Sequence, residues 1–156
     1  MSQSLSRILI HATFSTKLRD RSLAYPDLRE HLNAYTIGIL HNLECPALQV
    51  GSVIDHMHLF FLQARTAAVA EVVGTVKKET SAWIKTQKPE INDPFLMKFA
   101  WQSGYAAFSV SESGTEAVMQ YILNQEEHHR RITFQDEYRA FLTKHGVAFD
   151  EKYVWD

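Results

Sequence analysis

Residues 48–63 read LQVGSVIDHMHLFFLQ, two short apolar runs with only Asp55 between them. Both runs have the length and the apolar side chains that are typical of buried strands. The pattern therefore predicts two adjacent strands over residues 48–54 and 56–63, joined by a hairpin or a bulge near Asp55. A return this tight favours an antiparallel sheet.

The second run carries a His-Met-His triplet at residues 56–58. Side chains alternate along a strand, so His56 and His58 point to the same face, with Cα atoms about 6.5–7 Å apart. Two imidazoles in this position can bind one metal ion, although two ligands do not complete a site. Because Met57 and Leu59 point into the core, we expect the histidines to be presented rather than buried. Ordinary surface imidazoles are the alternative.

The rest of the chain supplies further strands and helices. Alternation predicts a half-buried strand over residues 8–16, and apolar spacings of three and four predict amphipathic helices. A loop bracketed by Pro89 and Pro94 follows the second helix. The helices cover residues 27–43, 67–85, 113 or 115 to about 129, and 135–145, and the fourth strand covers residues 104–110. This order predicts an α+β fold, a ferredoxin-like two-layer sandwich with helices packed on an antiparallel sheet.

The composition is that of a folded domain. The chain has 156 residues, of which 46% are hydrophobic and 12% aromatic, so we expect one domain over residues 1–156 and exclude disordered classes. The single cysteine, Cys45, cannot form an internal disulfide. No apolar run approaches the roughly 20 residues that span a bilayer. We therefore expect a cytoplasmic protein without a membrane partner.

The formal net charge of −2 conceals two local basic patches. Each patch sets four cations against one acidic residue and could meet a phosphate backbone, whereas solvated surface charge is the alternative. The first patch holds Arg7, Lys17, Arg19 and Arg21, and the second holds Lys77, Lys78, Lys85 and Lys88.

Tyr121 and Gln125 are four residues apart on the predicted helix that ends near residue 129, so a phenol and an amide project from one face. The amide oxygen of Gln125 could supply a third metal ligand. Helical periodicity alone instead places Tyr121 in the core beside Val118 and Ile122, and this alternative stays open.

Together these motifs resemble the single-tyrosine transposases of insertion-sequence-200-like elements. The triplet at residues 56–58 is similar to the HUH signature of that family (histidine, bulky hydrophobic residue, histidine). Tyr121-x-x-x-Gln125 is similar to its nucleophile helix. The resemblance also covers HATFSTKLR at residues 11–19, GTVKKE at 74–79, FAWQSGYAAFSVS at 99–111 and DEKY at 150–153. It extends over nearly the whole chain.

The resemblance implies a transposase, an HUH endonuclease that cuts and rejoins single-stranded DNA at element ends. Tyr121, on a C-terminal helix, would be the nucleophile that leaves a 5′-phosphotyrosine and a free 3′-hydroxyl. His56, His58 and Gln125 would hold a divalent metal, Mg²⁺ or Mn²⁺. Because these three ligands are neutral, we expect DNA phosphate oxygens to complete the site, so that metal occupancy depends on substrate.

The resemblance also implies recognition of DNA hairpins. A homodimer with composite active sites is expected, in which the histidines of one subunit meet the tyrosine helix of the other. The predicted phosphate contacts are Arg7, Lys17, Arg19, Arg21, Lys77, Lys78, Lys85, Arg130 and Arg131.

Three histidines are left without an assigned role. His128 and His129 follow Gln125 by three and four residues and could approach the metal or the DNA, or face solvent at a helix end. His11 could support the metal or contact DNA. Two other functions stay open: a non-catalytic hairpin-binding protein, and a metal hydrolase in which Tyr121 only packs.

Overall fold

The computed structural model describes residues 2–87 and 91–156, so Lys88 of the second basic patch and Pro89 of the predicted loop lie outside the described residues. Within these ranges the chain forms four strands and five α-helices. The strands are β1 (Leu9–Ser15), β2 (Ala47–Ser52), β3 (His56–Leu62) and β4 (Ala106–Val110). The helices are α1 (Pro26–Asn42), α2 (Val69–Thr86), α3 (Thr115–Leu123), α4 (Gln125–His128) and α5 (Phe134–Lys144).

The four strands form one antiparallel sheet in the order β2-β3-β1-β4. Because β3 lies between β1 and β2, the β1-α1-β2 unit is a split crossover, which is the ferredoxin-like arrangement. The predicted fold class is confirmed. The register places His58 of β3 between Thr13 of β1 and Gly51 of β2.

α1 and α2 pack on one face of this sheet and form the main apolar core. Their buried aliphatic residues meet Phe14, Met57 and Leu59 of the two central strands. Burial stabilises such a core by about 25 cal/mol per Å² of apolar surface removed from water. Met57 and Leu59 therefore point into the core, as the alternation of β3 predicts.

The opposite face of the sheet is covered as well, by α3 and α5. α5 packs Phe134, Tyr138 and Leu142 against β4, and α3 packs Ile122 against Phe60 of β3. The prediction of a half-buried first strand is wrong for this reason, because all seven residues of β1 are buried. Polar side chains that point to this face are consequently enclosed.

The predicted helix that ends near residue 129 is interrupted at Asn124, where φ is −96° and ψ is 16°. Asparagine suits such a break because its side chain competes for backbone hydrogen bonds. Gln125, the first residue of α4, still donates from Nε2 to the backbone carbonyl of Tyr121 at 3.1 Å. The two motif residues therefore stay in contact across the break.

α5 begins where Thr133 Oγ1 accepts a hydrogen bond from the backbone N–H of Asp136, as an N-cap residue does. Its buried residues recur at spacings of three and four and face the sheet. They are Phe134, Glu137, Tyr138 and Leu142. Within residues 2–87 and 91–156, every helix is too short or too polar to serve as a bilayer span.

Gly51 of β2 permits α3 to approach the sheet beside His58. A Cβ atom at this position would lie 2.7 Å from Ile122 Cγ2 and 3.2 Å from the backbone oxygen of Ile122. Real Cβ contacts are longer, so any larger residue would push α3 away. The position of Tyr121, the neighbour of Ile122, therefore depends on this glycine.

We expect Gly51→Ala to lower the free energy of unfolding by about 1–3 kcal/mol through overpacking against Ile122. Gly38→Ala in α1 is the matched control, because a Cβ there meets nothing within 4 Å. The control should be stabilised by about 0.5–1 kcal/mol, as a helix interior favours alanine. Urea denaturation measures both changes. Equal stabilities of the two variants would contradict the close approach of α3.

Candidate active site and metal centre

His56 and His58 lie on β3 and point to the face that α3 and α5 cover, with ring centroids 5.2 Å apart. They share one face, as their spacing predicts. Both side chains are fully buried, so the expectation that they are presented at the surface is wrong. The helices that enclose them follow β3 by more than fifty residues, and the pattern of β3 carries no information about this cover.

Tyr121, near the end of α3, meets these histidines within a single chain. Its ring centroid lies 5.7 Å from that of His58, edge to face. The phenol is half-buried, and an apolar pocket of about 200 Å³ opens beside it. Tyr121 thus lies beside the histidine pair of its own chain, whereas the composite arrangement expected of a dimer would place it beside the pair of a second subunit.

A buried carboxylate, that of Glu137 on α5, lies at the centre of the site and is 2% exposed. Its Oε1 lies 3.1 Å from His58 Nε2 and 3.6 Å from His56 Nε2. Its Oε2 lies 3.1 Å from His129 Nε2 and accepts a hydrogen bond from the Tyr121 hydroxyl. Glu137 therefore stands between the histidine pair and the phenol.

The ligand atoms of His56, His58, His129 and Glu137 all lie within 4.8 Å of one another. Imidazole and carboxylate are common ligands of divalent metals. The described residues thus contain a candidate metal centre to which His129 contributes. His128 lies towards the phenol, with Nε2 3.2 Å from Glu137 Oε2 and 3.3 Å from the Tyr121 hydroxyl.

Hydrogen bonds on the far side of the imidazoles decide which ring nitrogens face the centre. Nδ1 of His56 lies 2.7 Å from a carboxylate oxygen of Asp55, and Nδ1 of His129 lies 2.8 Å from the carbonyl oxygen of Ile132. Both oxygens accept, so both Nδ1 atoms donate and both Nε2 atoms face Glu137, where each can bind a metal ion once it carries no proton. Metal-binding histidines are held in this way.

His58 is supported by His11 of β1, whose Nε2 lies 2.8 Å from His58 Nδ1. Burial, followed by the charge of His58, lowers the pKa of His11 to about 3. His11 is therefore neutral at neutral pH and can share one proton with His58. This places His11 behind the metal centre, one of the two roles that its sequence left open.

Gln125, the third ligand implied by the family resemblance, is buried at the same centre. Its Oε1 lies 2.8 Å from His129 Nε2 and 3.4 Å from His56 Nε2. The amide oxygen thus faces imidazole nitrogens rather than solvent. The structure brings Gln125 together with His56, His58 and Tyr121, the four residues that the sequence motifs single out.

The electrostatics of the site are set by Glu137. Burial alone would raise the pKa of Glu137, but its contacts with His129 and His58 outweigh burial and hold that pKa well below its usual range. The carboxylate is consequently ionised, so the centre contains an anionic group beside the neutral ligands expected from sequence. Burial, followed by the charge of Glu137, raises the pKa of Tyr121 well above 10. The phenol therefore stays protonated and donates to Glu137.

Two buried atoms of the centre have no hydrogen-bond partner among the described residues, Nε2 of His58 and Oε1 of Glu137. They lie 3.1 Å apart. An unpaired buried polar group costs about 1–3 kcal/mol. A cation between these atoms would satisfy both, so the residues present fit a divalent metal.

Some of the predicted phosphate contacts adjoin this centre. Arg19 and Arg130 line a pocket of about 330 Å³, together with the half-buried Arg29, Asp55 and His129. Lys17 and Arg21 are exposed in the same connection between β1 and α1 as Arg19. Arg19, Arg29 and Arg130 therefore provide a basic surface next to the metal centre, and Lys17 and Arg21 lie close to Arg19 in the chain.

Other predicted contacts lie elsewhere or already have partners. Lys78 and Lys85 are on α2, which covers the sheet face opposite the histidines. Lys77 donates to the backbone carbonyls of residues 102–104, and burial lowers the pKa of Lys77 to about 8. Arg7 pairs with Glu112, and Arg131 pairs with Glu127, which also pairs with Arg130 of the pocket beside the metal centre. Exposed pairs of this kind are weak, so phosphate can replace the carboxylate.

Sequence reasoning missed Glu137. The available signal is its position on an apolar stripe, three residues after Phe134 and one before Tyr138. A carboxylate buried on such a stripe is costly unless it has a charged or metal partner. That cost could have marked Glu137 as a functional residue.

The family of the chain follows from a comparison with protein-family models. The model described as "Transposase IS200 like" matches residues 4–125, so the chain belongs to the IS200-like transposases. The resemblance seen in the motifs is thereby confirmed. The matched segment contains His56, His58, Tyr121 and Gln125, whereas His129 and Glu137 follow it.

Solved structures share the fold. A protein of Deinococcus radiodurans R1 described as a transposase has 20% sequence identity and a TM-score of 0.62, over 80% of this chain and 98% of that chain. A REP-associated tyrosine transposase bound to a REP hairpin has 12% identity and a TM-score of 0.55, over 85% of this chain and 76% of that chain. A search of curated protein sequences finds no match.

The pKa of His11 leads to a pH-dependent stability. The unfolded chain takes up a proton at His11 near pH 6.5, whereas the folded chain does so only near pH 3. This contribution to stability is therefore complete above pH 6.5 and is lost as the pH falls, at up to about 1.4 kcal/mol per pH unit. We expect the free energy of unfolding of His11→Gln to fall less steeply than that of the unaltered protein between pH 6.5 and about pH 5. Urea denaturation in the presence of a chelator measures both slopes. Identical slopes would contradict a buried neutral His11.

Proposed function

We propose that this chain cuts and rejoins single-stranded DNA at the ends of a mobile element, with Tyr121 as the covalent nucleophile. The observation that carries the proposal is the convergence of the Tyr121 phenol with His56, His58 and Gln125 in one enclosed site. Membership of the IS200-like transposases supports the same reaction class.

In the proposed reaction the Tyr121 oxygen attacks the scissile phosphorus. A bond forms between the tyrosine oxygen and phosphorus, and the bond from phosphorus to the 3′-oxygen breaks. The products are a 5′-phosphotyrosine and a 3′-hydroxyl, which takes up a proton. Attack by another 3′-hydroxyl reverses the chemistry and joins a new end, so no nucleotide triphosphate is consumed.

Glu137 is placed to accept the proton that Tyr121 must lose. Its Oε2 already accepts the hydrogen bond of the phenol and faces away from the histidine pair, while Oε1 faces that pair. A carboxylate next to a phenol with a raised pKa cannot hold the proton for long. It can relay the proton to His128, whose Nε2 lies 3.2 Å from the same oxygen.

The proposed metal ligands from the family resemblance are His56, His58 and Gln125, with Mg²⁺ or Mn²⁺ as the expected ion. When bound, a divalent cation would withdraw charge from the phosphate and help to offset the cost of ionising the phenol. Asp55 fixes the ring of His56, and His11 supports that of His58. These contacts keep both Nε2 atoms directed at the centre.

The proposed substrate is single-stranded DNA with a hairpin. The REP hairpin bound by the structural neighbour supports this choice. The pocket lined by Arg19, Arg29 and Arg130 offers cations beside the metal centre, where a phosphate backbone must pass to reach Tyr121. A homodimer, a cytoplasmic location and one catalytic domain over residues 1–156 remain predictions, of which light scattering tests the first.

A denaturing gel tests the covalent chemistry. Single-stranded oligonucleotides from the DNA flanking the gene, incubated with protein and Mg²⁺ or Mn²⁺, should yield a DNA-linked protein band. Tyr121→Phe should abolish this band, with at least about a thousandfold loss of cleavage, because the attacking oxygen is gone. Tyr153→Phe is the control, since Tyr153 is an exposed phenol.

The two other functions give different results in the same gel. A metal hydrolase would cleave without a DNA-linked band and would survive Tyr121→Phe. A non-catalytic binder would retard the hairpin in a native gel and leave it intact in the denaturing gel. Either pattern would contradict the proposed transposition chemistry.

The salt dependence of hairpin binding tests the basic surface. Removing the charges of Arg19 and Arg21 should weaken binding and lower the slope of log K against log salt by about 0.7 for each lost contact to a single strand. The charge-matched comparison is Lys78→Gln with Lys85→Gln, across the sheet from the histidines. An unchanged slope in the Arg19 and Arg21 variant would rule out this surface as the DNA contact.

A further inference from the structure

We propose that the segment after Gln125 completes the metal site: His129 and Glu137 join His56 and His58 as ligands and select a borderline transition ion such as Zn²⁺ over Mg²⁺. The inference rests on the metal centre of the proposed function, but it concerns ion binding alone. It applies to the protein without DNA.

The four candidate ligand atoms lie close enough together to bind a single ion. The four ligand atoms all lie within 4.8 Å of one another, and three of the four side chains are almost completely buried. Glu137 Oε1 lies 3.6 Å from Nε2 of His56 and 3.1 Å from Nε2 of His58, and its Oε2 lies 3.1 Å from Nε2 of His129. Such distances match neighbouring ligands on one ion whose own bonds are about 2.0–2.2 Å long.

His129 has the support that a metal-binding histidine requires. Its Nδ1 donates to the carbonyl oxygen of Ile132, which leaves Nε2 directed at the oxygens of Glu137 and Gln125 and free to bind a metal ion when it is deprotonated. His128, the preceding residue, has no such role in the set, because its Nε2 points to Glu137 Oε2 and the phenol and lies outside the four-ligand cluster of the described residues. The two neighbouring histidines are thus assigned different functions.

Two independent observations point to a cation-binding site. Nε2 of His58 and Oε1 of Glu137 are buried and lack a hydrogen-bond partner within the described part of the chain, although they face each other at 3.1 Å. Asp55 holds His56 in the orientation that exposes its own lone pair to the same space. Imidazole nitrogens and a carboxylate that converge on one space, with two of the atoms unpaired among the residues described, are suited to coordinate a cation.

The donor set determines the choice of ion. Three imidazoles and one carboxylate favour Zn²⁺, Co²⁺ and related ions, whereas Mg²⁺ prefers oxygen ligands and retains several waters. Glu137 also supplies the negative charge that the three ligands implied by the family resemblance lack. The ion therefore binds without a DNA phosphate, in contrast to the dependence on substrate expected from neutral ligands.

Calorimetric titration of the metal-free full chain with ZnCl₂, CoCl₂ or MgCl₂, without DNA, tests the proposal. We expect one Zn²⁺ per chain, bound at least about 100-fold more tightly than Mg²⁺. His129→Ala and Glu137→Gln should each weaken Zn²⁺ binding at least about tenfold. Bound Co²⁺ should show the strong visible absorption of a four-coordinate ion, which each of these variants should lose.

The controls are adjacent residues of the same type. His128→Ala and Asp136→Asn should change the Zn²⁺ affinity less than about threefold, because neither side chain belongs to the ligand set. Circular dichroism of each metal-free variant shows whether it has folded. If Glu137→Gln fails to fold, His129→Ala alone decides, since His129 is partly exposed and directly follows the short helix α4.

Equal affinities for Zn²⁺ and Mg²⁺, or unchanged Zn²⁺ binding in folded His129→Ala, would overturn the inference. The proposed function fails separately. A chain that binds Zn²⁺ as expected but forms no covalent DNA adduct would retain the metal site and lose the transposition chemistry. If the covalent adduct forms but folded His129→Ala binds Zn²⁺ normally, the transposition chemistry stands and the inferred metal ligands are wrong.

Discussion

A carboxylate enclosed on all sides cannot remain ionised unless positive or proton-donating groups surround it, and Glu137 imposes this constraint on the whole second face of the sheet. The imidazole of His58 on β3, that of His129 directly after α4, and the phenol from α3 all turn towards its two oxygens. Packing of α5 on β4 places the carboxylate there. The same helix, α5, therefore supplies both the apolar contacts with β4 and the carboxylate around which the polar groups of the site are arranged.

Much of this arrangement could be predicted from local sequence patterns. The alternation around His56 and His58 gives their shared face, because the direction of a strand side chain depends only on its position in the strand. The spacing of Tyr121 and Gln125 gives their contact for the same local reason on a helix. The order of strands and helices leads to the ferredoxin-like sheet, since short connections leave few topologies.

The depth of the site could not be predicted in this way. Whether a strand face is solvated or enclosed depends on which distant helix packs against it. The sequence of β3 contains no information about α5. The helix break at Asn124 and the inward position of Glu137 are likewise set by tertiary contacts. Only the cost of a carboxylate on an apolar stripe offered a clue, and reading it requires knowing that the stripe is buried.

The ligands that surround Glu137 come from distant parts of the chain, with His56 in the sheet and Glu137 in the last helix, about half the chain apart. An ion held by both would act as a removable cross-link that closes a long loop of polypeptide. Chelation would then loosen the C-terminal helices from the sheet before the rest of the domain unfolds, and protease cleavage near residue 130 would report the loss of the ion.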